Sequence, residues 1–249
     1  MKKVIIAIGL ILCLPLSGFA QEINVAAAAS LADALTAIAK EFEKKEVINV
    51  SLNFGGSGAL RTQIEKGMPC DIFISADNKN AQQLIDKGLI NQQDKYSLLQ
   101  NSLVVITAVN NTASLNNLTD LPAKINDYLS LGDPDTVPAG NYAKEALLKA
   151  GVWEKLESKL ALGMDVRAAM LQVENGNAEY GIVYKTDAMI SKKLKILYEI
   201  PAELHSPIEY PVCLISQATP KTFVVNFFQY LKSDVSKQIF RQYGFIPYD

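Results

Sequence analysis

Three times in this chain an apolar run with strand character breaks into a turn of small, uncharged residues and restarts as an amphipathic helix. Ile23-Asn24-Val25 passes through the alanines from Ala26 to Ala29 to Ser30, and Val50 to Phe54 passes into Gly55-Gly56-Ser57-Gly58. Tyr128 to Leu131 passes through a longer loop to Val137-Pro138-Ala139-Gly140. Strands that feed helices and return as strands build mostly parallel sheets covered by helices. The joints also carry chemistry. The first four N–H groups of a helix lack intrahelical acceptors and hold the positive end of its dipole. Small residues in front of them let an anion come close, so the repetition predicts an oxyanion site made of neutral donors.

The start of the chain has a separate logic. Met1-Lys2-Lys3 precedes an apolar stretch from Val4 to Leu16, and Ser17-Gly18-Phe19-Ala20 leads into polar Gln21-Glu22. A charged n-region, a short apolar core and small residues before a cut after Ala20 read as a secretory signal peptide, and the protein is expected in the periplasm. The apolar core is too short to span a bilayer comfortably. Cys13 follows the large Leu12 and is read as leaving with the signal. Removing residues 1–20 from the 249 leaves 229, enough for one large domain or two lobes. The 24 basic side chains lose Lys2 and Lys3 and stand at 22 against 26 acidic, net −4, which argues against nucleic acid as partner. Cys70 and Cys213 would remain; an oxidising compartment permits a disulfide, and burial of two separate thiols is the alternative.

The α/β alternation runs throughout. Leu31, Leu35, Ile38 and Phe42 mark one face of a helix for which Ser30 is the expected N-cap. Helices are expected over residues 59–66, ending at Gly67, and 80–87, ending at Gly88, with a strand over 71–74 before the second. Ser102 to Ala108 reads as the longest clean strand and a crossing between lobes. Beyond it come a strand over 128–131, helices over 141–150, 154–160 and 166–174, and strands over 181–184 and 194–198. Glu209 to Ile215 reads as the return crossing. Thr219-Pro220 should cap and open a terminal helix carrying Phe223, Phe227, Tyr230 and Leu231, and a last helix should run from Asp234 to Tyr243-Gly244. The expected lobes are 21–102 with 209–249, and 103–208.

Enzyme chemistry finds little support. His205 is the single histidine and sits in a proline-bounded segment where a solvated loop residue is expected. One histidine and two distant cysteines do not make a zinc set. Gly55-Gly56-Ser57-Gly58 is followed by no Gly-Lys-Ser/Thr, and Arg61 stands where a dinucleotide fingerprint needs glycine. Anion capture remains: about seven charge-assisted bonds at 1.5–3 kcal/mol each outweigh an association cost of roughly 4–15 kcal/mol.

At this point particular segments become specific. AAASL (27–31), GDPDTVPAGNYAKEAL (132–147), DVRAAM (165–170), GIVYKTDA (181–188), EYPV (209–212) and the terminal YGF (243–245) resemble the periplasmic molybdate-binding proteins of ABC importers, in order and from about Glu22 to the C-terminus. The resemblance implies a two-lobed type II periplasmic binding protein fold, α/β with mostly parallel sheets and two hinge crossings. It implies that Ser30, Ser57 and Tyr184 offer hydroxyls, and Ala139 and Val166 backbone N–H groups, to molybdate or tungstate. These residues would hold the molybdenum as its oxyanion, with no direct cation ligand and no cofactor. Arg167 and Lys185, adjacent to two of them, read as neighbouring charges outside the ligand set. The partners implied are a membrane permease and its ATPase subunit, served by a monomer. A sulfate or phosphate receptor is the nearest rival. A secreted phosphoester hydrolase or transferase on the same scaffold is the second reading; it would need a base or metal within reach of Ser30 or Ser57.

Overall fold

A computed structural model describes residues 21–216 and 221–248. The signal peptide with its cut after Ala20, Cys13 and the Thr219-Pro220 cap lie outside the described residues. Two sheets organise the chain. The first draws on β1 (Gln21–Ala28), β2 (Ile48–Gly55), β3 (Ile72–Ile74) and β4 (Lys95–Gln100); the second on β5 (Leu103–Ala108), β6 (Leu129–Gly132), β7 (Leu160–Gly163), β8 (Tyr180–Tyr184) and β9 (Leu194–Glu199). The chain then returns to the first sheet with β10 (Glu209–Leu214) and β11 (Ile246–Pro247). The strand orders are β11-β4-β10-β3-β1-β2 and β7-β6-β8-β5-β9. β10 and β11 oppose β1 to β4, and β5 opposes the other four strands of its sheet, so most strands in each sheet share a direction.

Helices cover both sheets. Those of the first are α1 (Ala32–Glu43), α2 (Ser57–Glu65) and α3 (Asn78–Asp86). The short α4 (Leu121–Lys124), then α5 (Pro138–Lys149), α6 (Trp153–Leu156), α7 (Val166–Glu174) and α8 (Lys185–Ile190) belong to the second. α9 (Thr222–Leu231) and α10 (Asp234–Gln242) pack back on α1. The apolar stripe of α1 is buried as its spacing predicts: Leu35 and Ile38 are inaccessible, and the Phe42 ring meets Phe227 edge-on at 5.0 Å. Full burial of such side chains stabilises by about 1.5–3 kcal/mol each. α2 and α3 stop as expected, with Gly67 and Gly88 at φ of 90° and 71°, a conformation that strains any residue with a Cβ.

The chain passes between sheets at 101–102 and returns over 200–208. Ser102 to Ala108 is therefore not itself the crossing; β5 lies inside the second sheet between β8 and β9, and β1 and β2 are longer. Three further expectations shift. β1 runs on to Ala28 because parallel pairing with β2 and β3 occupies the alanine backbone. The helix expected over 154–160 ends at Leu156, and Leu160 opens β7, an edge strand in register with Leu129 of β6. α5 begins at Pro138 and not at Asn141; proline at the first helical position loses no hydrogen bond, because that N–H has no acceptor anyway. β4 was not signalled, because Lys95, Ser97 and Gln100 dilute its apolar pattern. Among the described residues no helix is long and apolar enough to cross a membrane.

Candidate functional site

Six joints from strand to helix meet at one small cavity. It is lined by Ala28, Ala29 and Ser30 after β1, by Gly55, Gly56 and Ser57 after β2, and by Val137, Pro138 and Ala139 at the start of α5. Asp165 and Val166 at the start of α7, Tyr184 at the end of β8 and Ala76 after β3 complete it. Its free volume is about 10 Å³, on the order of one water molecule's centre. All five residues singled out in the sequence, Ser30, Ser57, Ala139, Val166 and Tyr184, line it, and all five are buried. A larger depression of about 380 Å³ shares Val137 and Pro138 but carries both signs of charge, among them Arg61, Lys79, Asp77 and Asp135.

Helix starts supply the backbone donors. Val166 is the first residue of α7, and the Asp165 carboxylate caps that helix by accepting from the Ala168 N–H at 2.8 Å. The cap satisfies the third N–H and leaves that of Val166 without an intrahelical acceptor. The Ala139 N–H is the first that α5 can offer, because Pro138 has none. Ser57 opens α2 behind Gly56, with no side chain capping that end. Ser30 departs from expectation. It is not the N-cap of α1 but sits inside a 3₁₀ turn over Ala29–Leu31, and no side chain caps either segment. Its hydroxyl lies 3.0 Å from the Tyr210 hydroxyl, and this contact replaces the capping bond.

The hydroxyls are held from behind. The Ala76 N–H donates to Ser57 Oγ at 3.0 Å. Tyr184 is buried, and its hydroxyl has no hydrogen-bond partner among the described residues. Burial foremost, then the neighbouring Tyr210, pushes the Tyr184 hydroxyl's pKa far up, so it keeps its proton and has it to donate. A buried hydroxyl without a partner costs about 1–3 kcal/mol, and a ligand oxygen in the cavity would supply that partner.

Arg167, next in the chain to Val166, stands outside the lining residues. Its guanidinium donates to Asp187, to Asp33 at 2.7 Å and to the Ser30 carbonyl at 3.4 Å, tying α7 to the start of α1. Lys185 pairs with Glu199 at 2.8 Å. Gly58 N–H donates to the Thr136 carbonyl at 3.1 Å, a second tie between the sheets.

His205 is not solvated as expected; it is buried, its ring centroid 6.0 Å from that of Tyr142 and its Nδ1 2.8 Å from the Ser206 carbonyl. Cys70 and Cys213 are free thiols, and burial pushes both up to about 12. Tyr210 and Asn101 are polar groups behind the site to which no role was assigned from sequence; Tyr210 lies within the EYPV segment already noted.

Comparison with known proteins identifies the family. A model of the family described as bacterial extracellular solute-binding protein matches residues 23–246. Molybdate-binding protein ModA of Escherichia coli is 42% identical over 228 residues, spanning 90% of this chain and 88% of that protein. Molybdate-binding protein ModA of Haemophilus influenzae is 40% identical over 228 residues, spanning 90% and 89%. The Azotobacter vinelandii periplasmic molybdate-binding protein superposes with a TM-score of 0.82 over 91% of this chain and all of that one; at 22% identity it speaks to the fold.

Proposed function

The chain belongs to the bacterial extracellular solute-binding proteins, and on that premise we propose that it captures molybdate, and tungstate as well, for an ABC importer. It is a transport component and not an enzyme. The lobes are residues 21–102 with 209–249, and 103–208, and the anion sits between them. Ser30, Ser57 and Tyr184 donate hydroxyls; Ala139 and Val166 donate backbone N–H groups. The observation that carries this reading is the convergence of three helix N-termini and an unpartnered buried tyrosine hydroxyl on one cavity lined by no lysine or arginine. A tetrahedral oxyanion is larger than the free space, so the lobes part to admit it and shut on it. Specificity for a fully deprotonated dianion follows from a wall of hydroxyl and N–H donors whose one carboxylate, Asp165, is engaged as the cap of α7, and size disfavours sulfate.

The chain is exported by a signal peptide cut after Ala20, acts as a monomer, and hands its anion to a permease driven by an ATPase subunit. Isothermal titration with molybdate, tungstate and sulfate tests the assignment. Micromolar or tighter binding of the first two with weak sulfate is expected; tight sulfate with weak molybdate overturns it.

A further inference from the structure

Each serine of the cavity is approached from behind by another polar group, and the direction of those bonds decides what the serines can offer. For Ser57 the direction is fixed, because the Ala76 N–H can only donate. Ser57 Oγ is therefore an acceptor on that side, and its own hydrogen is left for the cavity. For Ser30 the partner is the Tyr210 hydroxyl at 3.0 Å, and either oxygen could donate.

The ambiguity is resolved one residue further back. Asn101 Oδ1 accepts the Ser102 N–H at 2.9 Å, which fixes which end of the amide is which. Asn101 Nδ2 then spends one hydrogen on Thr186 Oγ1 at 2.9 Å and the other on Tyr210 Oη at 3.2 Å. Tyr210 is completely buried, so no bulk water competes for its hydroxyl. With Asn101 donating to it, Tyr210 directs its single hydrogen to Ser30 Oγ. Ser30, accepting there, turns its own hydrogen into the cavity. Burial drives the Tyr210 hydroxyl's pKa upward, so the relay keeps its hydrogen at working pH.

We infer that Asn101 and Tyr210 are positioning residues that fix the polarity of Ser30, presenting its hydrogen to the anion and disfavouring oxyanions that carry a proton there. The inference rests on the reading of the cavity as an oxyanion site. It extends that reading to two residues at the passages between the sheets: Asn101 in the outgoing link and Tyr210 on β10, just after the return. A protonated oxyanion needs an acceptor in the wall. The relay occupies one lone pair of Ser30 and turns its hydrogen toward the anion, as the Ala76 N–H does for Ser57, so each serine meets the ligand as a donor.

The test compares the wild-type chain with Tyr210→Phe and Asn101→Asp, each checked for folding by thermal melting. Molybdate affinity is measured by titration, and inorganic phosphate, which near neutral pH always carries a proton, by competition. Asn101→Asp replaces the donor with an acceptor and reverses the relay. Its molybdate-to-phosphate affinity ratio should fall at least about tenfold. Tyr210→Phe frees Ser30 to rotate and should narrow the ratio in the same direction by less. A purely structural role would weaken both anions together, an added charge acting alone would leave the ratio of the uncharged Tyr210→Phe at its wild-type value, and unchanged ratios in the folded variants overturn the inference while leaving the cavity's assignment intact. Failure of the wild-type chain to bind molybdate overturns both. Should one variant not fold, the other decides.

Discussion

Gly58 N–H donates to the Thr136 carbonyl at 3.1 Å, and a Cβ on Gly58 would stand 2.5 Å from that same oxygen. The contact joins the start of α2 on the first sheet to the turn before α5 on the second. At Gly56 a Cβ would meet the Met164 carbonyl at 2.7 Å. Both opposing atoms are backbone and cannot swing aside, so these glycines are required by the close approach of the two sheets' helix starts.

Gly58→Ala should therefore bind molybdate at least about tenfold more weakly, a cost of about 1.4 kcal/mol. Its ligand-free melting temperature should move little, because alanine suits a helix start and the clash exists only when the lobes meet. Titration and small-angle scattering check this. The wild-type chain should contract when molybdate is added, and the variant should contract less.

Tyr184 makes the opposite trade. Its buried hydroxyl lacks a partner among the described residues, so Tyr184→Phe should leave ligand-free stability unchanged or raise it by up to about 1 kcal/mol. Molybdate affinity should fall by about 10- to 100-fold, one charge-assisted bond. Urea unfolding and titration should move in opposite directions. A loss of stability without loss of affinity would mean that the hydroxyl serves the core.

Much of this was legible in the sequence, for physical reasons that differ by element. α7 was expected over Val166 to Glu174 and is found there, because Asp165 caps it and the apolar period is unbroken. The joints at Ser57 and Ala139 were visible because only small residues allow such close approach. β7 and β4 were not legible: both are defined by pairing with distant strands, Leu160 with Leu129 and Gln100 with Glu209, which local pattern does not encode. The role of Ser30 was half legible. Its place at a helix entrance could be read, but its contact with Tyr210, 180 residues away, belongs to the tertiary structure. His205 misled because prolines on both sides suggest an exposed loop, whereas packing on Tyr142 buries it.

Ser57→Asp should abolish binding. A fixed carboxylate at the first residue of α2 would face a dianion inside a water-poor cavity, where repulsion between charges a few ångströms apart costs several kcal/mol. Ser57→Ala removes one donor without adding charge and should retain weakened binding. Titration of the pair separates charge from lost contact, and micromolar affinity in the aspartate variant would contradict the placement of Ser57 at the anion.

Asp187 gives the fold a pH dependence of unusual sign. It is fully buried, one carboxylate oxygen lacks a partner among the described residues, and burial raises its pKa from 3.8 to about 6 despite the opposing pull of Arg167. Between those values the folded chain holds a proton that the unfolded chain has released. This group's contribution to stability therefore falls as pH rises from about 4 to about 6, and the cost of its ionised form is fully present above that range. Asp187→Asn should flatten that slope. Arg167→Met should steepen it, because it strips the buried carboxylate of its only ion-pair partner among the described residues. Breaking a buried pair in this way costs about 3–5 kcal/mol when the remaining charge must stay ionised. Urea unfolding at about pH 5 and again above pH 7 should show the larger loss for Arg167→Met at the higher pH, where neutralising Asp187 is no longer easy. Equal losses at the two pH values would mean that Arg167 acts through its bonds to Asp33 and the Ser30 carbonyl, and not through Asp187.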